Sequence, residues 1–347
     1  MRPGRPFMDK RHDLFLLAAL LAALSPVAVL LMCTVGSAGI PLESVAQEVW
    51  RGLMGQPPLN ESYAMILFNI RLPRAVLSYL VGAGLGLCGA LMQGIFQNPM
   101  ADPHLLGVSS GAAFGASVGL LLGLGGGIFG LGVTTALAFL GGTGAVILVH
   151  LLSTSRGKAS PGQLLLSGIA MTALLSAAIA ALMIFHRDKI ERVVQWTMGS
   201  FTSANWEKVI AATVVILPLS ILLSFSGKVL NALSLGDESA SSLGIPVEGA
   251  RRALLLLSTL CTAAAVSLSG IIGFVGLVVP HVARMLLGGD YRGLLPISFL
   301  MGGLFLSAMD TLARIVAAPL EMPVGVLTAI IGGVFFLLLM RRTQRHA

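Results

Sequence analysis

Ten separate apolar runs, most of them about twenty residues long, occupy nearly all of this 347-residue chain and leave only short polar segments between them. They lie near residues 14–35, 72–97, 106–124, 128–152, 162–186, 206–225, 249–269, 273–287, 293–316 and 323–340. An α-helix rises ~1.5 Å per residue, so about 20 apolar residues match the ~30 Å hydrocarbon core of a bilayer. A chain that repeats such a run ten times is predicted to be all-α, a polytopic membrane helix bundle of about ten transmembrane helices. The run at 273–287 is too short to cross alone, which predicts a partial helix packed against protein, where irregular backbone can be satisfied.

Arg2, Arg5, Lys10 and Arg11 ahead of the first run imitate a secretion signal. A signal core has only about 7–15 apolar residues, whereas Leu14–Val35 is long enough to span, so the segment is read as a retained helix. The formal charge of +7 would suggest nucleic acid in a soluble protein. Here the basic residues gather between apolar runs, where they set orientation, and no nucleic-acid partner is expected. Ten spans place both termini on one side. Taking that side as cytoplasmic puts fourteen of the 22 Lys and Arg there, including Arg156, Lys158, Lys228, Arg251, Arg252, Arg284 and Arg292. The expected organisation is a cytoplasmic tail over 1–13, a single membrane domain over 14–340 and a cytoplasmic tail over 341–347.

Glycine recurs every fourth residue in the third run, at Gly107, Gly111, Gly115, Gly119 and Gly123. Gly82, Gly86, Ala90 and Gly94 repeat the interval in the second, and Gly325, Ala329 and Gly333 in the last. Small-residue ridges let helix backbones approach closely, so these predict tight packing. The chemistry of catalysis is missing. Nothing matches the phosphate-cradling GxxxxGK[ST] loop, there is no HExxH, and the six histidines are scattered. Cys33, Cys88 and Cys261 stand far apart in apolar runs and read as small buried hydrophobes. Asp310 alone among the carboxylates lies well inside a run, Glu207 standing at the very start of one, whereas ion-coupled carriers keep ionisable groups in mid-membrane. A transporter without motor or coupling acid takes its energy from a partner. An ion-coupled secondary carrier or channel is the alternative and requires a role for Asp310; an intramembrane transferase requires turnover by the chain alone.

Three segments carry more information. Arg71-Leu72-Pro73-Arg74 opens the second run, which closes on Gln97-Asn98-Pro99 and continues through Leu105–Ala112. Ser234–Pro246 reads as a short capped helix or as a surface turn, with Asp237 available as N-cap, Glu238 favouring the positive end, Gly244 suited to a left-handed stop and Pro246 barring continuation. Gly270–Arg284 contains Pro280-His281 ahead of Arg284. A lone His beside a proline at a helix end is read as structural. These motifs, at matching spacing, resemble the FecCD-type permease family, the membrane half of bacterial ABC importers for iron siderophores, haem and cobalamin. The resemblance covers residues 14 to 340.

The resemblance implies the type II ABC importer permease architecture in a bacterial cytoplasmic (inner) membrane. Its partners would be a second copy of the chain, two ATP-binding cassette subunits and a periplasmic or extracellular substrate-binding protein. This chain would bind no cofactor, ATP and Mg belonging to the partner ATPase. The segment near 235–246 would be a coupling helix, docking through Asp237, Glu238, Ala240, Leu243, Gly244 and Ile245, with Ala240, Leu243 and Ile245 giving apolar contacts. Arg71, Arg74 and Arg314 would receive acidic residues of the binding protein; snorkelling to headgroups is the other reading of these arginines. A cytoplasmic gate would involve Asn98, Pro99, Met100, Ser160, Pro161 and Gly162, with Pro161-Gly162 standing where many relatives carry small hydroxyl residues. The fifth and last runs would line a pathway between two copies. Residues 187–208 suggest a short interfacial helix at the outer mouth, where His186 is read as solvated rather than as a haem ligand. Ferric siderophore is the favoured cargo, with haem and cobalamin close behind.

Overall fold

The computed structural model describes residues 10–36, 39–123, 127–128, 131–155, 158–159, 161–318 and 320–344. Each of the ten apolar runs is a helix, because a helix is the one open-ended structure that satisfies its own backbone in hydrocarbon. In chain order the helices are α1 (Lys10–Thr34), α2 (Leu42–Leu53), α3 (Glu61–Ile66), α4 (Leu72–Ile95), α5 (Val108–Leu121), α6 (Val133–Ser153), α7 (Pro161–Phe185), α8 (Ile190–Thr197), α9 (Trp206–Ser224), α10 (Gly227–Leu233), α11 (Asp237–Ser242), α12 (Val247–Ser269), α13 (Val275–Leu287), α14 (Tyr291–Val316) and α15 (Val324–Gln344). Two minimal hairpins pair Gly127–Ile128 with Leu131–Gly132 and Thr154–Ser155 with Lys158–Ala159.

Among the described residues, seven of these helical segments are long and apolar enough to cross a bilayer, and two apolar helices, α5 and α13, are shorter. Shortness was expected of α13 alone. Helix α5 has 14 residues, about 21 Å of rise, because Gly107 (φ +83°) and Gly123 (φ +62°) adopt left-handed backbone at its two ends. The second run also extends further than its apolar stretch. Helix α3 runs into α4 through a π-helical turn at Leu67–Arg71, giving one continuous segment over Glu61–Ile95. Pro73 has no N–H to return to Asn69, and the wider turn, in which Leu72 N–H donates to the Leu67 carbonyl, absorbs that missing bond. Arg71 and Arg74 therefore lie within a long helix rather than at its start.

Helix α4 is the axis of the bundle, buried almost continuously from Leu77 to Ile95 and packed against α9, α12, α13 and α14. The ridge on α4 makes this possible: a Cβ at Gly82 would fall on the Gly302 carbonyl and one at Gly86 on the Ser298 carbonyl. On α5, Gly111 and Gly115 meet the backbone of α6 at Gly141 and Leu137 in the same way. The last ridge is divided, since Gly325 abuts the Met198 carbonyl while Gly333 faces open space.

A further close backbone approach joins α4 and α13, where a Cβ on Gly89 would overlap the Cα and carbonyl of Gly276. Neither partner is a flexible side chain, so the two helices must part. Gly89→Ala is expected to lower stability by about 1–3 kcal/mol, read as a lower melting temperature by fluorescence-detected size exclusion, with Gly333→Ala melting like the wild type. Equal melting of the two variants would mean that the close approach is dispensable.

Candidate functional site

The features that can carry transport chemistry lie at the two ends of the bundle. In the orientation expected from the charge distribution, the end holding α11 and the α4–α5 turn is the inner one, and the end holding the C-terminus of α1, the N-terminal part of α4 and the loop before α15 is the outer one.

At the outer end the structure gathers Arg71, Arg74, Arg314, Asp310 and Glu321. Arg74, 6% exposed, makes a bidentate pair with Asp310, Nε to Oδ2 at 2.8 Å and Nη2 to Oδ1 at 2.9 Å, and a third bond from Nη1 to Glu321 Oε2 at 2.7 Å. Arg314 Nε lies 3.8 Å from Asp310 Oδ2, and its terminal nitrogens donate to the carbonyls of Val35 (2.7 Å) and Met32 (3.1 Å). Arg71 donates from Nη1 to the carbonyls of Cys33 (2.7 Å) and Thr34 (3.2 Å). The last carbonyls of a helix have no intrahelical donor, and two arginines supply α1 with that cap. Neither snorkelling nor a free docking face describes these guanidiniums, because all three are turned inward onto partners in this chain. Asp310 is likewise held between cations rather than open to an exchanging proton or ion.

At the inner end, Gln97 adopts a left-handed φ of +50° that turns the chain out of α4. Its amide Nε2 donates to the Leu233 carbonyl at the end of α10, at 2.6 Å. Asn98 Oδ1 accepts from Met100 N–H at 2.9 Å and closes the turn. Pro99 and Met100 border an apolar cavity of about 310 Å³ with Phe274, His281 and Phe335. His281 packs edge-on to Phe335, ring centroids 6.0 Å apart, as a structural residue would. Of the second gate segment, Gly162 is exposed with open space about it, Ser160 lies outside the described residues, and Pro161 begins α7. The structure thus brings Pro99 and Met100 against α13 and α15, but does not bring Gly162 to that cavity.

A polar network that the sequence did not single out surrounds this turn. Arg284 donates to Gln93 Oε1 (3.2 Å) and to the Tyr291 hydroxyl (3.3 Å). Asn231 on α10 accepts from Tyr291 N–H (3.0 Å) and donates to Asp290 Oδ1 (2.7 Å). Hydrogen bonds from Arg292 and Asn231 hold the Asp290 carboxyl well below the usual carboxylate range. Helix α10 is therefore tied to α4, α13 and α14.

Helix α11 follows α10 directly. Gly236, at φ +100°, is its N-cap and offers no side-chain bond. The expected cap, Asp237, instead accepts from Arg251 Nη2 at 2.8 Å across the turn into α12, an ionic bond that outcompetes a neutral backbone donor. The stop is as expected: Gly244 has φ +79°, Ile245 N–H reaches the Ala240 carbonyl (3.2 Å) and Gly244 N–H the Ser241 carbonyl (2.9 Å), which is a Schellman motif. Ala240 is fully buried, so it does not offer the docking contact expected of it, and Ile245 is half-buried against the core. Leu243, 65% exposed, is joined instead by Leu235, 68% exposed, which sequence reasoning passed over.

The amphipathic segment at the outer mouth is present as a 3-10 turn at Arg187–Lys189 followed by α8. His186 Nδ1 donates to the Leu182 carbonyl at 3.2 Å, at the end of α7.

Gln97→Ala removes a side-chain bond that joins the α4–α5 turn to α10. It is expected to lower coupling, measured as transport per ATP hydrolysed, several-fold while lowering stability by only about 1 kcal/mol. Unchanged coupling would show that the turn moves independently of α10.

A sequence profile described as the FecCD transport family matches residues 21–342. The hemin transport system permease protein of Yersinia pestis is 44% identical over 83% of this chain and 86% of its own. The cobalamin import system permease protein of Halobacterium salinarum is 41% identical over 89% of this chain and 86% of its own. Among solved structures, an inward-facing metal-chelate type ABC transporter superposes with a TM-score of 0.80 at 33% identity, covering 94% of this chain and 99% of its own.

Proposed function

This chain belongs to the FecCD transport family, and from that membership we propose that two copies of it form the membrane pathway of an importer, driven by two separate ATP-binding cassette subunits and fed by a substrate-binding protein. It is a multi-pass membrane permease, a transport subunit of the ABC importer class. The cargo is a metal chelate or corrinoid: iron bound to a siderophore, haem, or cobalamin. The chain needs no cofactor of its own, because ATP and Mg act in the partner. Both termini face the cytoplasm of a bacterial inner membrane.

The observation that carries this reading is α11. It is a rigid two-turn helix held at one end by the Asp237–Arg251 pair and at the other by a Schellman motif, with Leu235 and Leu243 exposed beside it. Six residues are too few to be stable alone in water. Such a helix with bare leucines suits a cleft in a partner protein. ATP binding that draws two partner subunits together would displace α11, and α10 would pass the motion on in two directions. One runs through the Leu233 carbonyl and Gln97 to Asn98, Pro99 and Met100. The other runs through Asn231 and Asp290 to Tyr291, Arg284 and Gln93 on α14, α13 and α4. Shifts of packed helices against one another are the usual mode of such transitions. Ser160, Pro161 and Gly162 would complete the inner closure with the second copy. Arg71, Arg74 and Arg314 would serve binding-protein docking indirectly, by fixing the outer ends of α1, α4 and α14 beneath the surface on which the protein sits.

The test is ATPase activity in proteoliposomes holding this chain and its partner ATPase, with binding protein empty or loaded with ferric siderophore, haem or cobalamin. Stimulation by one loaded form is expected; none by any form, in a verified assembly, would return the field to an ion-coupled carrier.

A further inference from the structure

A second cavity, of about 580 Å³, opens at the outer end inside the single chain, between α8, the segment after it and the ends of α5, α6, α9, α12 and α15. Its size lies within the roughly 300–1,000 Å³ of small-molecule sites, and its character is opposite to that of the inner cavity. Thr134, Thr135, Ser200, Thr202, Ser203 and Ser269 are among its lining residues, and Trp196 forms part of the wall.

The charge balance of that wall is positive. Arg192 borders the cavity on α8, is exposed, and has no hydrogen bond or ion pair among the described residues. Lys208 borders it on α9, its ammonium donating to Ser203 Oγ at 2.7 Å and so retaining two further N–H groups. Glu321 is the carboxylate among the described lining residues, and its charge is already engaged by Arg74 at 2.7 Å. Thr134 and Thr135 lie in the first turn of α6, Lys208 in the first turn of α9, and Pro323 just ahead of α15. Three helices thus present their positive ends and two their negative ends, α5 at Leu120 and α12 at Ser269 and Gly270, so the backbone dipoles largely offset one another and the net charge of the wall comes from the two side chains.

We propose that this cavity is an intrasubunit site for the carboxylate groups of an anionic, oxygen-rich metal chelate, occupied after the chelate leaves the binding protein and before it enters the pathway. Arg192 and Lys208 receive the carboxylates, the threonine and serine hydroxyls receive the remaining oxygens, and Trp196 closes one side. The proposal rests on the importer reading, and it narrows the cargo: a chelate that presents free carboxylates fits this wall, whereas one whose periphery is neutral leaves two cations uncompensated. Cations at a partly dehydrated mouth also raise the local concentration of an anionic ligand and speed its arrival.

Equilibrium dialysis of ferric citrate and of cobalamin against the full chain, held in discs of the zwitterionic lipid phosphatidylcholine, tests the assignment. Saturable binding of ferric citrate is expected, weakened at least tenfold in Arg192→Gln/Lys208→Gln, with no cobalamin binding that the substitutions affect. The exposed position of Arg192 makes Arg192→Glu a second variant that leaves the fold intact, and it should weaken citrate binding further. Unchanged citrate affinity in the variants, or cobalamin binding equally sensitive to them, would overturn the proposal. Loss of citrate binding in discs containing phosphatidylglycerol would overturn it too, because the site would then belong to a lipid headgroup. Stimulated ATPase in the assembled complex without citrate binding would sink this site and leave the importer standing; citrate binding with no stimulation by any loaded binding protein would do the reverse.

Discussion

Asp310→Ala is expected to destabilise the protein by about 3–5 kcal/mol, the magnitude found when one partner of a buried ion pair is removed. The carboxylate is 2% exposed and accepts two bonds from Arg74, with Arg314 close by. Removing it leaves a buried guanidinium with Glu321 as its remaining carboxylate partner, and Glu321 has a side chain 43% exposed to competing solvent. Arg314 loses its nearest anion as well, and its Nε has no hydrogen-bond partner among the described residues. The measurement is the melting temperature and yield of folded protein in detergent. Arg74→Met/Asp310→Met should recover part of the loss, since a buried pair can be replaced by apolar groups of similar size more easily than it can be halved. The result also separates two readings of the same residue. An ion-coupled carrier needs Asp310 to gain and lose its charge, so its removal would abolish flux from a fold of normal stability. An Asp310→Ala protein that melted with the wild type would favour that carrier.

The long runs were legible in the sequence because span length is a property of composition alone, and each became a helix. What lay outside them was harder to see. Helix α2 buries Val45 and Glu48 and has the spacing of a half-buried helix, but it holds too many polar residues to register as a span. The π-turn before α4 follows from Pro73, a signal present in the sequence whose consequence depends on whether the helix stops or widens. The arginines were misplaced for a different reason. Arg74 and Asp310 are 236 residues apart in the chain, and no local pattern says that two charges will meet. Position near a span end reads as exposure until tertiary packing closes over it. Asp237 shows the same limit over a shorter distance: its cap chemistry was readable, but the competing Arg251 lies across a turn whose geometry the sequence leaves open. Gly244, by contrast, was assigned correctly because a left-handed stop depends on the residue itself.

Leu243→Glu is the variant expected to affect function most. The side chain is 65% exposed at the C-cap of α11, so a carboxylate there is solvated and the isolated permease should fold and melt as the wild type does. In the assembled importer the same carboxylate would enter an apolar contact without a partner, and burying an unpaired charge is strongly unfavourable. Stimulation of the partner ATPase by loaded binding protein should fall at least tenfold, and co-purification of the ATPase should weaken with it. Leu235→Glu should act in the same direction. Ala240→Asp is the informative contrast: Ala240 is fully buried, so a carboxylate there damages the permease itself, lowering its melting temperature before any partner is added. Full stimulation with Leu243→Glu and Leu235→Glu combined would remove α11 from the coupling route and leave the α4–α5 turn, tied to α10 through Gln97, as the surface through which the ATPase acts.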